Sequence, residues 1–178
     1  MNEDELCGVS IVSFPIGTAF SVPISNLSNI ISAISETYVI IGTHDQIHFQ
    51  MLNNLAPICT IPYQSGSSKI KQTIRYSILQ LKIISKLFSS RKCFQSVIFF
   101  MEFPPLLPMI AVKAFNNKIC WLLPSKISLT SNSTLSKLSA VLSEICCNLC
   151  NSIILYSANL ISYWNLEPYR HKILIAHE

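Results

Sequence analysis

The fold is decided by Val97-Ile98-Phe99-Phe100-Met101, a segment that is apolar at every position. A strand that is apolar continuously, rather than at alternate residues, is typical of a parallel sheet covered by helices on both faces. The segment is much shorter than the roughly 20 residues of a membrane span, and Glu102 follows it directly. The same pattern recurs in Ile153-Ile154-Leu155-Tyr156. Both segments therefore predict buried strands of an α/β domain.

Outward from these two segments, strand patterns alternate with helix patterns along the whole chain. The predicted strands are residues 9–14, 38–41, 58–61, 95–101, 118–123, 153–156 and 173–176. The predicted helices are residues 25–35, 67–90, 105–116, 130–151 and 158–166, and a loop broken by proline and glycine precedes the first of them. This order predicts a Rossmann-like, doubly wound, mostly parallel sheet with helices on both faces.

The composition limits the class of protein. A chain of 178 residues is one domain in size, and 50% of it is hydrophobic while only 12% is charged, against about 25% charged residues on average. This balance excludes disorder. The charge-free stretches 6–35 and 145–166 contain proline and glycine or several asparagines and serines, so neither predicts a membrane-spanning helix. The acidic start Asn2-Glu3-Asp4-Glu5 is unlike a secretory signal, and a cytoplasmic location is expected.

The seven cysteines indicate a reducing compartment, because their number is odd and no secretory signal precedes them. Cys146 adjoins Cys147-x-x-Cys150, which has the spacing of metal ligands. A structural zinc site needs four ligands, whereas Cys7, Cys59, Cys93 and Cys120 are scattered singly. We therefore expect buried helix residues and no metal, with zinc as the alternative.

Nucleotide-binding motifs are missing, so candidate site residues come from the strand ends. Residues 14–19 hold one glycine where a dinucleotide site needs G-x-G-x-x-G, and neither a P-loop nor G-x-S-x-G occurs. No cofactor is expected. Candidates for binding a sugar or phosphate oxygen follow the predicted strands: His44, Asp45, Glu102, Ser125, Lys126, Ser157 and Asn159. The alternative is that Ser157 and Asn159 cap a helix and that the acidic residues are solvated.

The long helix predicted at 67–90 carries most of the positive charge. Residues 69–92 hold 7 of the 13 basic residues and no acidic one. Ile70, Ile74, Leu81, Ile84 and Phe88 form an apolar stripe that is expected to face the core. Lys71, Arg75, Lys82 and Lys86 share a flank that suits an anionic membrane surface. A merely solvated face is the alternative. Nucleic acid is not an expected partner, because only two aromatic residues, Tyr76 and Phe88, lie among these charges.

Two parts of the sequence resemble family-4 glycosyltransferases, most of all the archaeal and bacterial members. The first helix and second strand of that family are similar to Asn26-Leu27-Ser28-Asn29-Ile30-Ile31-Ser32-Ala33-Ile34-Ser35 and Tyr38-Val39-Ile40-Ile41-Gly42. The end of its N-terminal domain is similar to Ile153-Ile154-Leu155-Tyr156-Ser157-Ala158-Asn159-Leu160-Ile161, Trp164-Asn165-Leu166 and Tyr169-Arg170-His171-Lys172-Ile173. The resemblance covers residues 25–178, and residues 1–24 diverge from it.

The resemblance implies a GT-B fold, in which two Rossmann-like domains face each other across a cleft. In that family the N-terminal half binds the acceptor, and the C-terminal half binds the nucleotide sugar and carries a Glu-x7-Glu signature. This chain corresponds to the N-terminal half alone, so we expect a truncated acceptor-side domain that is inactive without a separate or downstream donor-binding domain. Such a domain is expected to expose an apolar patch and to self-associate. The alternative function is a non-catalytic, membrane-associated interaction module that retains the fold.

Overall fold

The structure is a computed structural model, and it describes residues 8–14, 18–41, 58–63, 68–101, 104–123 and 134–176. The strands are β1 (Val9–Ser13), β2 (Thr37–Ile41), β3 (Ile58–Thr60), β4 (Ser96–Phe100), β5 (Lys118–Leu123), β6 (Ser152–Leu155) and β7 (Ile173–Ile175). The helices are α1 (Thr18–Ser32), α2 (Lys69–Ser90), α3 (Leu106–Ala114), α4 (Thr134–Leu149) and α5 (Asn159–Tyr163). A 3-10 helix (Glu167–Lys172) leads into β7.

The strands form one sheet in the order β3-β2-β1-β4-β5-β6-β7, and every pairing is parallel. The chain builds the sheet from β1 to one edge at β3, then returns beside β1 and builds to the other edge at β7. This is the doubly wound arrangement, and the predicted fold class is confirmed. Because the strands are parallel, their carboxyl ends all lie on the same side of the sheet. We call this side, which runs across the strands, the carboxyl edge.

Helices pack on both faces of the sheet, which explains why its strands are apolar at successive positions. On one face α1 contributes Ile24 and Ile31 to a cluster that includes Phe100. On the other face the buried residues of α2, α3, α4 and α5 form a larger cluster that includes Val97 and Phe99 of the same strand. Successive residues of β4 therefore enter different cores.

The first helix differs from the prediction. It begins at Thr18, where a broken loop was expected up to residue 24, and it contains Pro23. Proline removes a hydrogen bond from a helix interior, which is why the sequence indicated a break. Ile24 directly follows the proline and is fully buried against the sheet. The burial of Ile24 and Ile31 of this helix in one cluster against the sheet opposes the cost of the proline, so tertiary packing overrides the local signal.

Gly8 allows β1 to enter the sheet at its amino-terminal end. A Cβ atom at this position would overlap the carbonyl oxygen of Cys93 and approach that of Glu36 to 3.0 Å. The Gly8 carbonyl also accepts a hydrogen bond from the Gln95 N–H at 3.0 Å. A glycine is needed here because the backbones approach too closely for a side chain.

Candidate functional site

Three aromatic side chains meet where β1 and β3 end. Phe14 follows β1 and Tyr63 follows β3, and their rings pack edge to face with centroids 4.7 Å apart. Tyr76 of α2 lies against Phe14 at 6.4 Å, and its phenol oxygen is buried. Burial raises the pKa of Tyr76 well above its ordinary value, and nearby Cys146 and Tyr63 add to the shift. The cluster is therefore a neutral wall at the carboxyl edge of the sheet.

A groove of about 270 Å³ opens beside this wall, between α2 and the segment after β3. Its lining consists of Pro62, Tyr63, Arg75, Ile78, Leu79 and Lys82. Arg75 and Lys82 are both exposed and lie two helical turns apart, about 10 Å along the axis. The groove therefore combines two cationic groups with a tyrosine and aliphatic walls, a combination that suits an anion attached to a larger, less polar body.

Contacts of helix α2 fix both the residue at which it begins and the side that faces the sheet. They therefore position the side chains of α2 that line the groove. Ser68 caps the helix, and its hydroxyl accepts a hydrogen bond from the Lys71 N–H at 3.3 Å. The side-chain oxygen of Gln80 accepts a hydrogen bond from the Leu107 N–H at 3.1 Å, which ties α2 to the first turn of α3. The inner stripe of α2, which we define as Leu79, Ile83 and Leu87, is buried in the core under the sheet.

The predicted core stripe of this helix is wrong. Ile70, Leu81 and Phe88 are 74%, 58% and 52% exposed. Ile74 is also exposed, and Ile84 is half-buried. The two stripes have the same helical spacing, and the packing against the sheet and α3 selects the one that contains Leu79. We call Ile70, Ile74, Ile78, Leu81 and Phe88 the outer stripe of α2.

The basic residues predicted to share a flank lie on one side of α2, and all of them are exposed. This basic flank consists of Lys71, Arg75, Lys82 and Lys86. It runs between the inner and outer stripes, on the side of the helix away from Gln80 and α3. Arg75 and Lys82 of the flank line the groove. The flank therefore reaches the carboxyl edge of the sheet. The predicted role of the flank at a membrane remains a prediction.

Most of the other candidate residues cannot be placed relative to this groove. His44, Asp45, Glu102, Ser125 and Lys126 lie outside the described residues, and their predicted role stays a prediction.

Ser157 and Asn159 are described, and they follow β6. The N-cap of α5 is Ala158, so neither residue is the N-cap that the capping alternative required. The Ser157 hydroxyl does accept a hydrogen bond from the Asn159 N–H at 3.4 Å, and the Asn159 side chain is exposed. β6 is five strands away from β3, a distance of about 24 Å at about 4.8 Å per strand. These two residues therefore cannot share a small ligand with Arg75 and Lys82.

The cysteines of α4 are core residues. Cys146, Cys147 and Cys150 are all buried, and burial raises the pKa of the Cys146 and Cys147 thiols to about 12. Within the part of the chain that the structure describes, no three histidine, cysteine or acidic side chains are arranged to hold a metal ion.

The groove was not predicted, although its two basic residues were singled out. The basic flank was predicted from the spacing of charges, but Tyr63 was not singled out because nothing in the sequence links it to Arg75. The two residues are brought together by the packing of α2 beside the end of β3. A tyrosine directly after an edge strand, followed by a basic helix, is the signal that was available.

Comparisons with known proteins agree with the fold. No protein-family model matches the chain, and no curated protein matches it by sequence. Among solved structures, UDP-N-acetylglucosamine 2-epimerase from Rickettsia bellii is similar with a TM-score of 0.66 and 10% identity, over 97% of this chain and 45% of that protein. A glycosyltransferase from Rickettsia africae is similar with a TM-score of 0.61 and 14% identity, over 98% and 43%. MurG from Acinetobacter baumannii is similar with a TM-score of 0.53 and 10% identity, over 84% and 41%.

The chain thus has the Rossmann-like fold of GT-B proteins and spans less than half the length of each of these neighbours. At identities this low the likeness concerns the fold. Membership of glycosyltransferase family 4 and truncation remain predictions.

Proposed function

We propose that the chain forms the acceptor-side half of a glycosyltransferase that moves a sugar from a nucleoside diphosphate sugar to the hydroxyl of a glycan or lipid-linked acceptor. The observation that carries this proposal is the match of nearly the whole chain to just under half of a GT-B glycosyltransferase. The resemblance of residues 25–178 to the N-terminal domain of family 4 assigns this half to the acceptor. A separate or downstream domain then supplies the donor site.

The groove beside α2 supports an acceptor that carries a phosphate. Arg75 and Lys82 place two cationic groups along it, and guanidinium and ammonium groups are the usual protein partners of phosphate oxygens. Tyr63 and Ile78 offer a ring and an aliphatic surface for the less polar part of the acceptor. In the reaction the acceptor oxygen bonds to the anomeric carbon, the bond from that carbon to the diphosphate breaks, and the acceptor hydroxyl loses its proton. The part of this chain is to bind and orient the acceptor.

Calorimetric titration of the purified chain tests this assignment. We expect no heat of binding with UDP-N-acetylglucosamine or GDP-mannose and no sugar transfer by the chain alone, but measurable binding of farnesyl phosphate. The variant Arg75→Gln/Lys82→Gln should lose farnesyl phosphate binding. The matched variant Lys71→Gln/Lys86→Gln removes the same charge outside the groove and should retain it. Micromolar affinity for either nucleotide sugar would contradict the acceptor-side assignment.

The alternative is a non-catalytic, membrane-associated module, and the exposed outer stripe of α2 favours it. The two functions are distinguished by the genomic sequence that follows residue 178. A reading frame for a second Rossmann-like domain with Glu-x7-Glu supports the glycosyltransferase, whereas an unrelated sequence supports the alternative.

A further inference from the structure

The outer stripe of α2 is unusual because it lies opposite the buried side of the same helix. Leu79, Ile83 and Leu87 face the sheet, and Ile70, Ile74, Ile78, Leu81 and Phe88 are exposed on the far side. Large exposed apolar patches on a protein surface mark interaction sites. The stripe follows a helix of 22 residues, about 33 Å long, so it is far larger than a single exposed side chain.

The neighbouring helices continue this apolar surface. α3 and α4 pack on the same face of the sheet as α2, because Met109, Val112, Cys146 and Cys147 belong to the same buried cluster as the inner stripe. On the outward sides of these two helices, four further aliphatic residues are exposed: Leu107, Ile110, Val141 and Ile145. The outward surface of the helix layer is therefore broad and apolar across three adjacent helices.

The same surface is strongly basic. The sequences of α2, α3 and α4 contain one acidic residue, Glu144. Among the described side chains of these helices, five basic residues are exposed: Lys71, Arg75, Lys82, Lys86 and Lys113. Apolar and basic groups side by side on one helix are the pattern of helices that lie in the interface of an anionic membrane.

We infer that the outward surface of this layer docks on an anionic lipid membrane, with the outer stripe inserted among the headgroups and the basic flank on the lipid phosphates. A second copy of the chain fits less well, because two such faces would bring the same positive charges together. A single partner helix would leave the apolar residues of α3 and α4 uncovered. The inference adds insertion of apolar side chains to the contact that the sequence predicts between the basic flank and an anionic membrane, and it does not depend on the proposed glycosyltransferase role.

Vesicle co-sedimentation tests the role of charge. The chain should bind vesicles of phosphatidylcholine with phosphatidylserine and should bind phosphatidylcholine alone far more weakly. The variant Lys71→Gln/Arg75→Gln/Lys82→Gln/Lys86→Gln should lose roughly 600-fold in partitioning at low salt, because each basic residue near the lipid contributes about fivefold. Lys118 is exposed at the first position of β5, outside α2, α3 and α4, so Lys118→Gln is a charge control that should bind about as well as the parent.

A second set of variants tests insertion. Ile74→Ser/Leu81→Ser should weaken binding by roughly tenfold even in high salt, where electrostatic attraction is screened. Ile30 and Ile34 are 65% and 71% exposed on the opposite side of the sheet, so Ile30→Ser/Ile34→Ser is the matched control and should bind like the parent. A tryptophan introduced by Leu81→Trp should be quenched by brominated lipid, whereas one introduced by Ile34→Trp should not.

Several results would overturn the inference. One is a parent chain that does not sediment with the anionic vesicles. Another is equal binding by the parent, the basic-flank variant and the outer-stripe variant, with circular dichroism showing that all are folded. A third is a dimer in light scattering that Ile74→Ser/Leu81→Ser abolishes, without vesicle binding, which would assign the surface to a second copy of the chain.

Discussion

The inner and outer stripes of α2 have similar residues and the same spacing, but their surroundings are opposite. Leu87 is fully buried, and Leu81, less than two turns away, is 58% exposed. Both leucines belong to rows that a helical period identifies equally well. The difference shows that periodicity locates apolar stripes, whereas the partners of the helix decide which stripe becomes core.

Helix α4 repeats the comparison with different residues. Its buried side carries Cys146 and Cys147, and its exposed side carries Val141 and Ile145. A ranking by hydrophobicity would favour the aliphatic side as the core. The smaller cysteines are buried because they fit the space against α3 and the sheet, where close packing matters more than the transfer free energy of one side chain.

The largest expected effect comes from truncating the inner stripe. Leu87→Ala should lower the free energy of unfolding by about 2–5 kcal/mol, because it leaves a cavity in the core. The matched variant Leu81→Ala removes the same atoms from the outer stripe and should cost less than about 1 kcal/mol. Urea denaturation of both variants measures the difference. Equal losses would show that the outer stripe is also packed against protein.

A smaller effect is expected from the polar residue on the buried side. Gln80→Ala leaves the Leu107 N–H without its side-chain acceptor and should cost about 1–3 kcal/mol. Gln95→Ala changes an exposed glutamine that lies just before β4 and serves as the control. Urea denaturation again provides the measurement, and a Gln80 variant as stable as the control would mean that water replaces the Gln80 oxygen.

The buried side of α4 should make stability depend on alkaline pH. Burial raises the pKa of Cys146 and Cys147 to about 12 in the folded state, while an unfolded thiol titrates near 8.5. The stabilisation is complete below the unfolded pKa and is lost as the pH rises towards the folded value, because the unfolded chain releases its protons first. Each of the two thiols should lower the free energy of unfolding by about 0.5–1 kcal/mol as the pH rises from 8 to 9.

Chemical denaturation across this pH range measures the effect. The variant Cys146→Ala/Cys147→Ala should show a shallower loss of stability than the parent. Cys93 is exposed, so Cys93→Ala is the control and should keep the slope of the parent. Equal slopes of stability against pH in all three proteins would contradict the assignment of the two thiols to the buried side of the helix.

The smallest expected effect is on the stability of the basic-flank variant. Lys71, Arg75, Lys82 and Lys86 are all exposed, so changing the four to glutamine should alter the free energy of unfolding by less than about 0.5 kcal/mol. A thermal melt measures this directly. A large loss of stability would show that these side chains pack against other parts of the protein. Weaker vesicle binding by this variant could then result from unfolding and not from the loss of surface charge.

The strands were the most predictable part of the molecule. The bounds of β5 are those expected from the sequence, and β4 and β6 differ from the expectation by a residue at each end. A strand that lies between two helix layers must be apolar on both sides, so its sequence reports its position. The start of α1 was missed because Pro23 is a strong local break signal, and the packing of Ile24 is a non-local cause.

Sequence by itself determined the order of the elements, the parallel sheet and the concentration of positive charge on one helix. These features depend on which residues are neighbours in the sequence, and that information is present before the chain folds. Only the tertiary structure decided which stripe of α2 is buried and that Tyr63 meets Arg75 and Lys82 in one groove. Both depend on contacts between residues distant in the chain, since an isolated helix with two apolar stripes has no reason to bury one rather than the other.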